Sequence, residues 1–216
     1  MTVDAVIPAL NEERTVGSVV RAVLQSPSVR SVIVVDDGSA DRTAAVAAEA
    51  GARVLRHESR QGKGAALATG VAASDADAFL FLDADLFRLT PAHVAEIVGS
   101  VAEGSVAMQI GLRDHGPWEW LVERLPLVSG QRALRREVFA AVPPALLQGY
   151  GAEISLNAAC RYRKFPYGVV RLKGLAVRRK FDKVGLVRAL SQYARMWFQV
   201  ASAMVRARLA HARGDF

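Results

Sequence analysis

The stretch SVIVVDDGSADRTAAVAAEAG, residues 31–51, contains one complete strand-and-helix unit. Val32, Ile33, Val34 and Val35 form an unbroken β-branched run, the pattern of a strand buried on both faces. The run stops at Asp36, Asp37 and Gly38. An alanine-rich helix follows and closes at Gly51, a residue type suited to the left-handed position after a helix.

The same unit recurs on either side. VDAVIPA (3–9) reads as a strand. NEERTVGSVVRAVLQS (11–26) has helical spacing, with Val16, Val19, Val20, Val23 and Leu24 on one face and Asn11 placed to cap it. ARVLRH (52–57) is a third strand, followed by the glycine loop SRQGKG and a helix over AALATGVAAS (65–74). DAFLFLD (77–83) is a fourth strand. TPAHVAEIVGSV (90–101) is a helix with Pro91 in its first turn. Alternation of this kind predicts a mostly parallel α/β sheet with helices on both faces. Further on, SVAMQIGL (105–112) reads as a strand and GAEISLNAACRY (151–162) as a helix. FPYGVVRLKGLAVRRKF (165–181) reads as two strands or a strand and a loop.

Residues 184–212 form a long helical pattern with an apolar stripe of Leu186, Leu190, Tyr193, Trp197, Val200 and Met204. It suits a helix packed on the protein's own core, one packed on a second copy in a homodimer, or one lying on a membrane surface. The charge is uneven. Residues 1–160 carry 14 Lys/Arg against 19 Asp/Glu, a net of −5, whereas residues 161–216 carry 14 against 2, a net of +12. That tail suits an anionic partner. It lacks aromatics interleaved in a strand- or groove-reading motif, which argues against nucleic acid. With 216 residues, the chain is expected to form one principal core. No apolar run reaches the ~20 residues that span a bilayer. No secretory leader is apparent, and Cys160, the only cysteine, permits no intrachain disulfide. The expected location is cytoplasmic, with peripheral contact to the cytoplasmic membrane face as an extension.

The chemistry-bearing residues gather at strand ends, where open α/β sheets bind ligands. Pro8, Ala9, Asn11 and Glu12 end the first strand, Asp36 and Asp37 the second, and Asp83 and Asp85 the fourth. Gly62, Lys63 and Gly64 follow the third. Alternation along an extended segment would aim Asp83 and Asp85 the same way, and two carboxylates suit Mg²⁺ or Mn²⁺. Alone, Asp-x-Asp is a weak signal.

Together, VIPALNEE, VIVVDDGSADRT, QGKGAALATG and FLFLDADL resemble, in order, the nucleotide-sugar-binding half of GT-A glycosyltransferases of family 2. The resemblance is strong over residues 3–90 and weaker to about 160. It implies a GT-A domain with a donor half (1–103), an acceptor half (104–182) and a terminal helix (183–216). By the same resemblance Pro8, Ala9, Asn11, Glu12 and Asp37 hold the nucleoside of a UDP- or GDP-sugar. Gly62 and Lys63 lie near the base and diphosphate, and Asp83, Ala84 and Asp85 form the DXD motif holding Mg²⁺ or Mn²⁺. Arg132, Arg135 and Arg136 are candidates for steadying the leaving group. Glu153 is a candidate base or acceptor contact, or simply an acid favoured at a helix N-terminus.

Two relatives fix different acceptors. SGQRALRREVF (129–139) resembles polyprenyl-phosphate transferases such as dolichol-phosphate mannose synthases, whereas QGKG and GYGAEI resemble glucosyl-3-phosphoglycerate synthases. The expected function is metal-dependent sugar transfer to a phosphorylated acceptor, with polyprenyl phosphate first. Transfer to a small phosphorylated acceptor is the alternative, and a non-catalytic nucleotide- or membrane-binding module the competing class. VRRKFDK (177–183) lacks the histidine that relatives offer as a further metal ligand. His115 is a loop histidine that could approach the site.

Overall fold

The computed structural model describes residues 1–113, 129–147, 151–177 and 201–216. Strands β1 (Val3–Ala9), β2 (Ser31–Asp36), β3 (Arg53–Arg56) and β4 (Ala78–Phe81) alternate with helices α1 (Val16–Leu24), α2 (Thr43–Glu49) and α3 (Lys63–Ala72). A two-residue strand β5 (Leu86–Phe87), helix α4 (Pro91–Ala102) and strand β6 (Met108–Arg113) follow. Then come β7 (Arg132–Arg135), the short α5 (Arg136–Ala140), a 3₁₀ turn at Pro144–Leu146, α6 (Gly151–Tyr162), β8 (Tyr167–Leu172) and β9 (Ala176–Val177).

Seven strands form one sheet in the order β3-β2-β1-β4-β7-β6-β8. All run the same way except β7, which pairs antiparallel with β4 and β6. Successive side chains of β1 enter opposite faces, as the period of two requires. Ile7 joins Val34, Leu80 and the apolar sides of α1 and α4, while Val6 joins Ile33, Val35, Phe79, Phe81 and α3. Each such side chain, fully buried, contributes about 1.5–3 kcal/mol.

At the lower sheet edge, Asp4 is 2% exposed. It accepts hydrogen bonds from Arg30 Nε and Nη2 at 2.9 and 2.7 Å, and from the hydroxyls of Ser31 and Ser74. Burial pushes its carboxyl up, but these bonds outweigh burial and hold it below the ordinary range.

Several expectations change. Helix α1 starts at Val16 with Thr15 before it, so Asn11 does not cap it. Asn11 adopts φ 56° instead, and its Oδ1 accepts from Ala40 N at 2.9 Å. Leu24, at the helix end, is 42% exposed and leaves the apolar face. SGQRALRRE holds a strand, β7, whose Arg–Ala–Leu–Arg sequence has no apolar run to betray it. Strand β4 ends at Phe81, so Ala84 and Asp85 lie in a turn and not in an extended segment. FPYGVVRLKGLAV yields two strands, and β9 pairs antiparallel with β5, immediately after Asp85.

The segment 201–212 is helical. It buries Ala203, Ala207 and Ala210, while Met204 is only half-buried and Val205 and Leu209 face outward. Ala203 packs with Ile154 of α6, and the His211 ring lies flat on Tyr162 at 3.8 Å. His115, GPWEWLVERLPL and residues 178–200, including most of the expected amphipathic helix, lie outside the described residues. Among the described residues no helix is long and apolar enough to cross a membrane.

Candidate active site

The expected residues collect along the edge where β1, β2, β3 and β4 end and the antiparallel β7 begins. The loops after β1 and β2 are tied together. Asn11 N donates to Ser39 Oγ at 2.9 Å and Glu12 N to Thr43 Oγ1 at 2.8 Å, while Glu12 Oε2 accepts from Thr15 Oγ1 at 3.1 Å. Pro8 and Ala9 close β1 against Val35 and Asp36.

Asp37 differs from expectation. It is 4% exposed, and both oxygens hold the glycine loop. Oδ1 accepts from Gln61 N and from His57 Nδ1, and Oδ2 accepts from Gly62 N, each at 2.8 Å. Burial raises its pKa, but the His57 bond and the two backbone N–H groups prevail and keep it below the ordinary carboxylate range. Gly62 immediately precedes α3 at φ 99°, a conformation that favours glycine, and the space beside its Cα is open.

Lys63 is the hub. Its ammonium donates to Asp83 Oδ1 at 2.7 Å and to Glu153 Oε1 at 2.6 Å. Burial favours a lower pKa for it, but the attraction and hydrogen bonds of the two carboxylates raise it above the usual lysine range. Asp83 Oδ2 accepts from Gln131 Nε2 at 2.7 Å. Gly130 presses on the same carboxylate, since a Cβ there would stand 2.4 Å from Oδ2. Ala84 points into the core at 4% exposure, and Asp83 and Asp85 flank it, both partly exposed. Glu153, third residue of α6, is 4% exposed, and its Oε2 has no hydrogen-bond partner among the described residues.

The arginine expectations are corrected. Arg132 is 1% exposed. Its guanidinium donates to Ser129 O, to Glu153 O at 3.2 Å and to Asn157 Oδ1 at 3.1 Å. It braces the first turns of α6 from beneath the site. Arg135 and Arg136 occupy the opposite sheet edge. Arg135 donates to Gly104 O, and Arg136 donates to the carbonyls of Ser74 and Ala76 and lies over Phe79. Cys160 is buried, and burial pushes its thiol up to about 11 against the pull of Arg132, so it is not a reactive thiolate at neutral pH.

Sequence reading did not single out His57 or Gln131. His57 ends the third strand as Asp37 ends the second, and its place at a strand terminus was a usable signal. Gln131 had none, because β7 itself was hidden.

A divalent cation at this site would find few protein ligands. Among the described residues no group of three or more His, Cys, Asp or Glu converges on one point. Asp83 has a lysine on one oxygen and an amide on the other. Asp85 is partly exposed beside it, and a Mg²⁺ site often uses one or two carboxylates plus substrate phosphates. The site therefore fits a cation held largely by its ligand's own oxygens.

Residues 4–147 match the family described as Glycosyl transferase family 2. The glucosyl-3-phosphoglycerate synthase of Mycolicibacterium paratuberculosis is 34% identical, the match covering 72% of this chain and 58% of that protein. The corresponding protein of Mycobacterium tuberculosis is 32% identical, covering 72% and 59%. The chain thus spans about three-fifths of the length of these curated relatives. The crystal structure of the Mycobacterium tuberculosis enzyme with Mn²⁺, UDP-glucose and phosphoglyceric acid is 29% identical with a TM-score of 0.79, covering 95% of this chain and 79% of that one. Its complex with Mg²⁺ and UDP gives a TM-score of 0.80. Sheet order, strand-end motifs and sequence match agree: the fold is GT-A, and the chain belongs to glycosyl transferase family 2.

Proposed function

We propose that the chain transfers a hexosyl group from a UDP-sugar to a small phosphorylated acceptor of the phosphoglycerate kind. The observation that carries this reading is the Lys63 bridge, which joins Asp83 of the donor half (1–103) to Glu153 of the acceptor half (104–182) through one ammonium. Donor and acceptor chemistry then meet at one point. The ligands of the similar structure, UDP-glucose and phosphoglyceric acid with Mn²⁺, support the small acceptor over the polyprenyl phosphate that the sequence favours.

The roles follow from the contacts. Pro8, Ala9, Asn11 and Glu12 line the nucleoside side, and Asp37 shapes that side through the loop it holds. Gly62 leaves room for the diphosphate to approach the start of α3, and Lys63 adds positive charge there. Asp85 holds Mg²⁺ or Mn²⁺, while Asp83, oriented by Lys63 and Gln131, supports it. Such an ion, when bound, supplies Lewis-acid stabilisation of the departing diphosphate. Glu153 Oε2 is an acceptor-only group when ionised. It can accept the hydroxyl proton of the incoming acceptor, at hydrogen-bond reach, as its anomeric bond forms.

The test incubates the protein with UDP-[¹⁴C]glucose and Mn²⁺, and with 3-phosphoglycerate or a polyprenyl phosphate in detergent. Label in a charged water-soluble product supports the reading. Label only in the lipid extract supports the polyprenyl acceptor, and label in neither with UDP tightly bound supports a non-catalytic module.

A further inference from the structure

We infer that His57 is a positioning residue for donor binding, setting the Gln61–Gly62–Lys63 loop through the carboxylate of Asp37. This rests on the donor reading above. His57 is 8% exposed and stands at the end of β3. Its Nδ1 lies 2.8 Å from Asp37 Oδ1 and its Nε2 lies 2.9 Å from Thr69 Oγ1 on α3. Asp37 is ionised and can only accept, so Nδ1 carries the proton in that bond. The Thr69 hydroxyl can donate or accept, so the Nε2 contact tolerates either partner role. The Nδ1–H bond is the one that fixes the carboxylate.

Three donors reach that carboxylate from two directions: the imidazole from β3, and Gln61 N and Gly62 N from the loop. The imidazole sets the rotation of Asp37, and Asp37 sets the loop. The loop needs this hold, because Gly62 at φ 99° is a residue of wide conformational freedom. Lys63 follows directly, and its ammonium must reach both Asp83 and Glu153. One line of hydrogen bonds and covalent links therefore runs from His57, which faces no expected substrate atom, to the two carboxylates of the site.

The experiment compares His57→Asn, whose amide N–H overlays the Nδ1 donor, with His57→Gln, whose amide overlays Nε2. Two readouts are used: affinity for UDP with Mn²⁺ by calorimetry, and amide hydrogen exchange at Gln61 and Gly62 without nucleotide. We expect His57→Gln to lose at least tenfold in affinity and to expose both amides. His57→Asn should stay within about threefold of the parent and keep them protected, even where both variants lose thermal stability alike. Equal losses in both variants, or none in either, would overturn the inference. Should His57→Gln not fold, Asp37→Asn, which turns an N–H toward Gly62 N, must show the same paired loss. The exchange readout needs no nucleotide. A parent protein that bound no UDP would thus overturn the donor reading, while exchange alone would still judge His57.

Discussion

Lys63 and Glu153 are 90 positions apart in the chain, and their charged atoms stand 2.6 Å apart. The same ammonium holds Asp83 at 2.7 Å. Two acids that would repel each other in a half-buried site are thereby kept together. The Lys63 side chain remains 30% exposed, so water screens part of the attraction.

Removing that cation tests the arrangement. Lys63→Met should cost about 1–3 kcal/mol, below the 3–5 seen when a wholly buried pair is broken. Urea denaturation measures it. The folded-state pKa of Lys63 is raised, so its contribution is complete below the unfolded lysine value of about 10.4 and is lost as pH rises beyond it. The parent should therefore lose stability above that pH more steeply than the variant.

Gly130→Ala should act on the site and spare the fold. The new Cβ would crowd Asp83 at 2.4–2.7 Å. Asp83 is partly exposed and can swing aside, at the cost of its bonds to Lys63 and Gln131. We expect about a tenfold loss in affinity for UDP with Mn²⁺, near 1.4 kcal/mol. The melting temperature should fall less than in Lys63→Met, because the Lys63–Glu153 bond remains, and calorimetry with a thermal melt separates the two effects.

Arg132→Lys should instead unfold the site from below. A lysine cannot reproduce the fork that reaches Ser129 O, Glu153 O and Asn157 Oδ1. Loss of hydrogen bonds from a buried charge predicts about 2–4 kcal/mol of destabilisation, read by denaturant midpoint.

Acid should weaken the lower sheet edge independently of the site. Asp4 has a depressed folded pKa, so its contribution is complete above the unfolded aspartate value of about 3.9 and is lost as pH falls below it. Asp4→Asn should cost about 1–3 kcal/mol at pH 7, since Arg30 keeps Asp75 as a partner, and less near pH 3, where part of the parent's Asp4 contribution is already lost. Stability measured at both pH values checks the sign.

The legible parts of the chain were those where one pattern dominates. β1 and α6 match their expected ranges because an apolar run and a periodic stripe leave little choice. β7 escaped because its arginines are at the strand ends, one buried beneath α6 and one at the far edge, and no local pattern distinguishes them. Asp83, Asp85, Lys63 and Glu153 stand out in the sequence through their motifs. Sequence alone could not pair Lys63 with Glu153, since nothing local links positions 90 residues apart. The position of Asp37 at a strand end suggests a ligand-facing acid, yet its neighbours in space, His57 and the glycine loop, turn it inward. Its type was legible and its direction was not.

A donor site whose cation is held by Asp85 should bind UDP only together with that cation. The direct measurement is the thermal shift given by UDP, with Mn²⁺ or with chelator, in the parent and in Asp85→Asn. UDP should stabilise the parent by several degrees only when Mn²⁺ is present, and should not stabilise Asp85→Asn. Equal stabilisation with chelator, retained in the variant, would contradict it.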